Sequence, residues 1–262
     1  MSWWKDRRTP HAEANFVRVN PVKIVMRAII AWCLLMPVLA RAEPPMHLIT
    51  ENYPPYNMVE DNGEVGGLST IMVKEMFRRA GIPFAIDLQP WARAYKTAQS
   101  DENTCVYSTT RTPAREYQFK WVGPLLQNVW ALYAGPHSPA HVQSLEQIRP
   151  YIIGGYNGDA VAQYLIGQGL HVELSPSDDL NPRKLLAGHI DYWATSIYRF
   201  NYLLKHNDTT ALTKVMEFNS VMLYLACNPK VPDAKIARLN AAIDAMHKDG
   251  FSERERRRYL VK

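Results

Sequence analysis

Beyond residue 42 the chain alternates short β-branched or aromatic runs with stretches of helical periodicity. Residues 47–50 form a short apolar strand, followed by a loop rich in Pro, Asn and Gly (Asn52, Pro54, Pro55, Asn57, Asn62, Gly63). Within 69–80, Met72, Val73, Met76, Phe77 and Ala80 recur at the spacing of one helix face, and Gly81 supplies the stop. Phe84–Leu88 reads as a second strand, 91–98 as a helix opened by Pro90, and 104–108 as a third strand. A βαβαβ order with short connections implies a mostly parallel sheet covered by helices. Sites in such sheets gather beyond the carboxyl ends of the strands, where Tyr53, Ser69 and the segment at Arg111 fall.

The pattern restarts after a long apolar strand at 128–134 and a Gly-Pro-rich loop at 135–139. Ser144 is placed to cap a short helix; 151–154 reads as a strand and 159–166 as a helix, and the alternation continues through 171–174, 182–187, 191–194 and 195–205. A second apolar strand at 221–227 leads through Asn228 and Pro229 to a helix at 233–247 and a last one at 252–259. Two long strands bracketing a complete α/β unit imply a discontinuous layout. The chain is expected to build part of lobe 1 (43–130), all of lobe 2 (131–224), and then return to lobe 1 (225–262).

The first 42 residues change the picture of charge and compartment. Residues 28–39 are an apolar run flanked by Lys23 and Arg27 and followed by Ala40-Arg41-Ala42, the layout of a secretory signal with cleavage expected after Ala42. The run is too short to span a bilayer comfortably, and Met26 would itself begin a compact leader, so Met1 and Met26 are both possible starts. The whole chain carries 30 Lys and Arg against 25 Asp and Glu, but the leader takes seven bases and two acids with it, leaving 23 of each. The basic balance therefore carries no argument for nucleic acid. The clustered positive charge that remains, Arg254 with Arg256, Arg257 and Arg258, is interrupted by Glu253 and Glu255 and reads as a solvated helical end. An exported, soluble product without stable membrane insertion is expected. Cys105 and Cys227 are the cysteines left after cleavage, and an oxidising compartment makes them disulfide candidates, with two buried thiols as the alternative.

Candidate chemistry concentrates in CVYSTTRTPAREYQFKWVGPL, residues 105–125. A strand end there delivers hydroxyls and two guanidinium groups, Arg111 and Arg115, to one place, and arginine offers a planar fork of donors matched to a carboxylate. Solvated surface charge is the competing reading. His137 and His141 have the spacing of helical zinc ligands, but Pro139 separates them in a loop, and neither a metal nor a cofactor is expected. Gly154-Gly155-Tyr156-Asn157-Gly158 is too irregular for a nucleotide fingerprint, there is no G-x-S-x-G, and Asp191 at a strand end is either an acid–base group or a cap.

The order of elements, TTRTPARE followed by FKWVGPL, the GGYNGDAVAQYL loop and helix, the AGHIDYWAT strand and the LYLACNPK return strand together resemble the bacterial extracellular solute-binding proteins of family 3, the polar-amino-acid type. The resemblance implies a two-lobed periplasmic-binding-protein-like fold: each lobe a mostly parallel sheet flanked by helices, joined by two crossover strands and closing on a small ligand. It further implies that Arg115 holds a ligand carboxylate, that backbone and hydroxyl groups near Thr110 assist, and that the turn at Tyr156-Asn157-Gly158-Asp159 supplies amide donors at a helix N-terminus; Arg111, from the strand-end reading, joins the candidate set. Tyr53, Tyr56, Trp91 and Trp193 flank the expected cleft and can stack on a ring or cation, and Asp191 completes the candidate set. Two departures stand out: the acid that accepts a ligand ammonium falls in the neutral stretch Ala194-Thr195-Ser196, and the entry to the first helix is Gly66-Gly67-Leu68-Ser69. The expected role is periplasmic binding of a small carboxylate-bearing solute by a monomer that delivers it to an ABC permease. The alternatives are a dehydratase acting on a prephenate-like acid and a receptor module that presents ligand to a sensor.

Overall fold

The computed structural model describes residues 43–206 and 211–260. The leader, its cleavage point, Met26 and Cys33 lie outside the described residues. The described strands form one eight-stranded sheet, with a separate two-stranded ribbon of β2 (Met58–Val59) and β3 (Val65–Gly66). The order across the large sheet is β4-β1-β5-β10-β6-β9-β7-β8. Its members are β1 (Met46–Thr50), β4 (Phe84–Leu88), β5 (Thr104–Thr110), β6 (Lys120–Ala134), β7 (Ile153–Tyr156), β8 (Val172–Ser175), β9 (Tyr192–Ser196) and β10 (Thr213–Cys227). β4, β1 and β5 run parallel, as do β9, β7 and β8; between the two trios β6 and β10 run antiparallel to each other and to their neighbours.

Burial follows from this order. β1 is central and nearly all buried, whereas β4 at the sheet edge alternates half-buried and exposed positions. Helix α1 (Leu68–Ala80) buries Leu68, Met72, Val73, Met76 and Phe77 along one face. It ends where Gly81 takes the left-handed conformation (φ 62°), its amide reaching back to the Arg78 carbonyl, with Arg78 and Arg79 favourably placed in the last turn. Helix α2 (Trp91–Ser100) covers β5 and β1, and α6 (Asp233–Lys248) and α7 (Phe251–Leu260) pack back on α1. Leu48, Ile49, Phe77, Val106, Leu225 and Ile243 belong to this first core.

The second lobe has apolar clusters on both faces of its sheet. Trp130, Leu132 and Ala134 of β6 point to one, with Ile153, Leu165 and Tyr192; Ala131 and Tyr133 point to the other, with Trp193 and Phe200. This is the two-residue period of a strand covered on both sides. Helices α3 (Ala160–Gly167), α4 (Asn181–Leu186) and α5 (Ile197–His206) provide the cover. Removing a side chain such as Trp130, 2% exposed, costs about 3 to 5 kcal/mol.

β6 and β10 are each 15 residues long, far longer than the apolar runs at 128–134 and 221–227 suggest. Membership of the first core stops at Leu126 on β6, and membership of the second begins at Trp130. Opposite this handover lie Ser220, Val221 and Met222, paired with Val129, Asn128 and Gln127. The ladder shifts register three times, between Lys214 and Met216, Glu217 and Asn219, and Leu223 and Leu225. Such irregularities bend and twist a strand locally. Cys105 and Cys227 are register partners on β5 and β10 and form a disulfide. Ser144 precedes a 3-10 turn at Leu145–Ile148, but its side chain makes no capping bond; the expected hydroxyl cap is replaced by a backbone contact from Gln147 to the Ser144 carbonyl.

Candidate functional site

The carboxyl ends of β1, β5, β7, β8 and β9 converge, and each continues into a polar or charged residue: Glu51, Arg111 to Arg115, Asn157 to Asp159, Asp178, and Arg199 on the first turns of α5. Gly67 makes one part of this arrangement possible. It has φ 92°, and a Cβ there would lie 2.6 Å from the Tyr56 carbonyl, so the loop carrying Tyr53 and Tyr56 can lie against the start of α1.

Side chains from the two lobes meet directly across the cleft. Arg115, 3% exposed, donates to the Gly158 carbonyl (2.8 Å), to Gln163 Oε1 (3.1 Å) and to the Thr110 carbonyl (3.3 Å). Its guanidinium carbon lies 5.1 Å from the Tyr95 ring centroid and 5.9 Å from that of Trp91, which itself donates from Nε1 to Gly158 O at 2.9 Å. Tyr156 donates to Glu51 Oε1 at 3.0 Å. Tyr56 reaches Asn128 Oδ1 (3.1 Å) and Ser196 Oγ (3.3 Å).

A directed relay runs beside these contacts. Thr195 donates its one hydroxyl proton to Asp178 (3.1 Å), so the Tyr53 hydroxyl, 2.9 Å away, donates to Thr195. Asp178 also accepts from Trp193 Nε1 (2.8 Å) and Asn181 Nδ2 (3.0 Å). Arg199, 1% exposed, lies 3.7 Å from Asp178, pairs with Asp179, and has its guanidinium carbon 5.0 Å from the centre of the Tyr53 ring.

Acids outnumber bases in this cleft, and their titration reflects it. Burial, then repulsion from Asp159 and Asp178, push the Glu51 carboxyl well above its usual range, against the Tyr156 hydrogen bond and Arg199. Asp159 is raised to about 7, by burial first and Asp178 second, with Arg115 and the amides of Val161 and Ala162 pulling the other way. Burial also raises Asp178, and Arg199 with three hydrogen-bond donors offsets this only in part, leaving the carboxyl above its usual range. Burial opposes the charge on Arg199, but Asp178, Tyr53 and Asp179 overcome it and keep the guanidinium protonated. Two small cavities open on either side of the Trp91–Gly158 contact. One, about 250 Å³, is bounded by Glu51, Trp91 and Asp179; the other, about 260 Å³, by Trp91, Tyr95, Arg115 and Gln163.

Of the residues singled out in the sequence, Arg115, Thr110, Tyr53, Trp91 and Gly158 come together here. Arg111 does not: it turns outward to form two hydrogen bonds with Glu116 and lies over the Trp121 and Tyr224 rings. Asp191 sits at the opposite, amino end of β9, where it accepts the Ile152 amide at 2.7 Å and ties the start of β7 to β9. The turn at 157–158 also differs from the expected amide donor site. The Asn157 amide is taken by the Ser175 carbonyl and that of Asp159 by Tyr156, so the turn presents an acceptor, Gly158 O, to Arg115 and Trp91. Glu51, Asp178 and Arg199 were missed. The signal for the two acids was their place, one and three residues past a strand end; Arg199 lies three residues past the end of β9, in the first turn of α5.

The sequence pattern of the bacterial extracellular solute-binding proteins, family 3, matches residues 47–262. The chain belongs to that family. A search of curated proteins found no match. Among solved structures, a histidine kinase sensor domain with similarity to periplasmic binding proteins superimposes with TM-score 0.77 at 20% identity, covering 84% of this chain and 97% of that one. The arginine-, lysine-, histidine-binding protein ArtJ of Geobacillus stearothermophilus gives 0.73 at 16%, covering 83% and 96%. An ancestral amino acid-binding protein, described as a precursor of cyclohexadienyl dehydratase, gives 0.71 at 16%, covering 82% and 95%. These likenesses carry the periplasmic-binding-protein fold. Among the described residues of this family 3 protein, no helix is long and apolar enough to cross a membrane, and no group of three or more His, Cys, Asp or Glu is arranged to hold a metal.

Proposed function

We propose that this family 3 protein binds a small carboxylate-bearing solute that also carries a cationic group, in the periplasm, and passes it unchanged to an ABC permease. The observation that carries this reading is the make-up of the cleft: two deeply buried arginines, of which Arg199 is paired with Asp178 and Asp179 while Arg115 meets only neutral partners and aromatic rings, and two further acids, Glu51 and Asp159, on the same convergence of strand ends. Arg115 takes the ligand carboxylate through a charge-assisted fork, giving up its contacts to Gly158 and Gln163 in exchange. Glu51 and Asp159 take the cation, whose charge offsets the burial, and the lesser mutual repulsion, that raise both. The Asp178 carboxylate is already engaged by Arg199, Trp193 and Thr195, so it orients Tyr53 through Thr195 and leaves the cation to the other two acids.

Native mass spectrometry of freshly purified protein identifies the copurified solute, and calorimetric titration of Arg115→Ala with it tests the anchor. Loss of a bidentate charged contact is expected to weaken binding by about 2 to 4 kcal/mol; unchanged affinity removes the assignment.

A second reading draws on Asp159, whose value of about 7 suits proton transfer at neutral pH. In that reading the cleft dehydrates a prephenate-like acid. Chromatography after long incubation separates the two: intact ligand supports binding, and conversion at enzyme-like rates supports catalysis.

A further inference from the structure

The cleft presents its two kinds of charge on opposite sides of one indole. Trp91 is buried and donates Nε1 to the Gly158 carbonyl, and the backbone passes so close that a Cβ on Gly158 would lie 3.4 Å from Nε1. On one side of that contact, Arg115 borders the cavity of about 260 Å³ together with Tyr95, Ala114 and Gln163; among the described residues no carboxylate borders it. On the other side, the cavity of about 250 Å³ is bordered by Glu51 of the first lobe and by Pro176, Ser177 and Asp179 of the second; among the described residues no Lys, Arg or His borders it.

The two carboxylates of the second cavity are not equivalent. Asp179 is exposed and already paired with the buried Arg199. Glu51 meets a neutral donor, the Tyr156 hydroxyl at 3.0 Å, and burial with its acidic neighbours holds its carboxyl well above the usual range, a condition that an arriving cation relieves. Asp159 borders neither cavity; its carboxylate accepts the amides of Val161 and Ala162 and acts on a cation at longer range. Glu51, beside the Trp91 ring, is therefore the direct partner for positive charge.

This arrangement fixes where on the solute that charge sits. A carboxylate held by Arg115 brings its α-carbon into the cavity that Arg115 borders. An α-ammonium there stands beside the guanidinium and finds neutral acceptors, Gly158 O and Gln163 Oε1, but no bordering carboxylate. Such a charge gains little for the water it loses. A cation several bonds further along an apolar chain passes the Trp91 ring and reaches Glu51.

Building on the assignment of the ligand carboxylate to Arg115, we propose that the cation this cleft recognises is the distal one: the solutes are ω-cationic carboxylates, for which an α-ammonium is dispensable. Because Glu51 and Pro176 come from different lobes, filling the second cavity favours the closed arrangement.

Calorimetric titration of the intact protein with 6-aminohexanoate, norleucine, lysine and hexanoate tests this. The first two are isomers that differ only in where the ammonium sits. 6-Aminohexanoate is expected to bind at least tenfold more tightly than norleucine or hexanoate, and no more than threefold less tightly than lysine. Glu51→Gln, which keeps an acceptor for Tyr156, is expected to abolish the advantage over hexanoate, and Arg115→Ala to weaken every probe. Melting curves establish that both variants are folded. Three results each overturn the inference and leave carboxylate capture by Arg115 standing: norleucine equal to or tighter than 6-aminohexanoate, an advantage over hexanoate undiminished in Glu51→Gln, or no saturable binding of 6-aminohexanoate. Binding of 6-aminohexanoate that is unchanged in Arg115→Ala overturns both.

Discussion

Glu51 is held where burial and charge oppose each other. Its carboxylate accepts the Tyr156 hydroxyl, yet burial and the neighbouring Asp159 and Asp178 raise its pKa well above the ordinary 4.5. A group raised in this way supports the folded state most fully below its unfolded value and loses that contribution as pH rises through the folded one. Glu51→Gln keeps an acceptor for Tyr156 and removes the ionisation. The variant is expected to melt above the parent at pH 8, by about 2 to 4 °C per kcal/mol recovered, and to show no such gain at pH 4. Differential scanning calorimetry at the two pH values decides it, and equal melting at pH 8 contradicts it. Legibility at this scale depended on whether a residue's role is local. Arg115, Tyr53 and Trp91 were placed near the cleft because they follow strand ends, although that position alone did not separate Arg115 from Arg111. Arg111 and Asp191 were left between two readings, ligand contact or surface charge for one and acid–base group or cap for the other, because their partners, the Glu116 carboxylate and the Ile152 amide, become decisive only in three dimensions. Glu51 and Asp178 escaped notice because they lie far apart in the sequence, and only folding gathers them.

Among elements, the alternation of strands and helices was plain in the sequence, and the strand ends were not. β6 was read from 128 because Gly123 and Pro124 interrupt its first half, although the ladder with β10 continues past them to Lys120. The first half of β10, Thr213 to Ser220, is mostly polar or part-exposed and gives no apolar run. Strands that pass from one core to another do not keep one face buried along their length, so periodicity fades where they cross. The Cys105–Cys227 bridge fastens the far end of β10 to β5, closing a separation of 122 residues. In the chain-entropy account a loop of that length contributes roughly 4 to 5 kcal/mol. Cys105→Ser with Cys227→Ser is therefore expected to lower the melting temperature by about 10 °C or more, leaving ligand affinity little changed since neither sulfur approaches the cleft. A fall under about 2 °C in thermal melting means that the sheet already restrains these strands without the bond.

Across the whole molecule, ring contacts such as Tyr53 with Tyr156 and Tyr56 with Tyr198 join the lobes beside a set of polar contacts, several of them titratable. Arg115 to Gly158 and Gln163, Trp91 to Gly158, Tyr156 to Glu51 and Tyr53 to Thr195 all cross the cleft. Asp159 faces Asp178 and Arg115 there, and Glu51 faces Asp159, Asp178, Arg199 and Tyr156. Opening returns water to these acids and their pKa values toward the ordinary 3.8 and 4.5. For Asp159 the closed state binds its proton more tightly, so closure is favoured fully below about 3.8 and loses this contribution as pH rises through about 7. Glu51 acts in the same direction. Ligand-free protein is therefore expected to become more compact as pH falls from 8 to 5, and a cationic ligand at pH 8 is expected to replace the protons and restore compactness. Small-angle scattering across that range measures it, with Asp159→Asn as the control, in which the pH dependence shrinks. A radius of gyration that is constant with pH in the parent, or a dependence undiminished in Asp159→Asn, shows that these carboxylates do not govern closure.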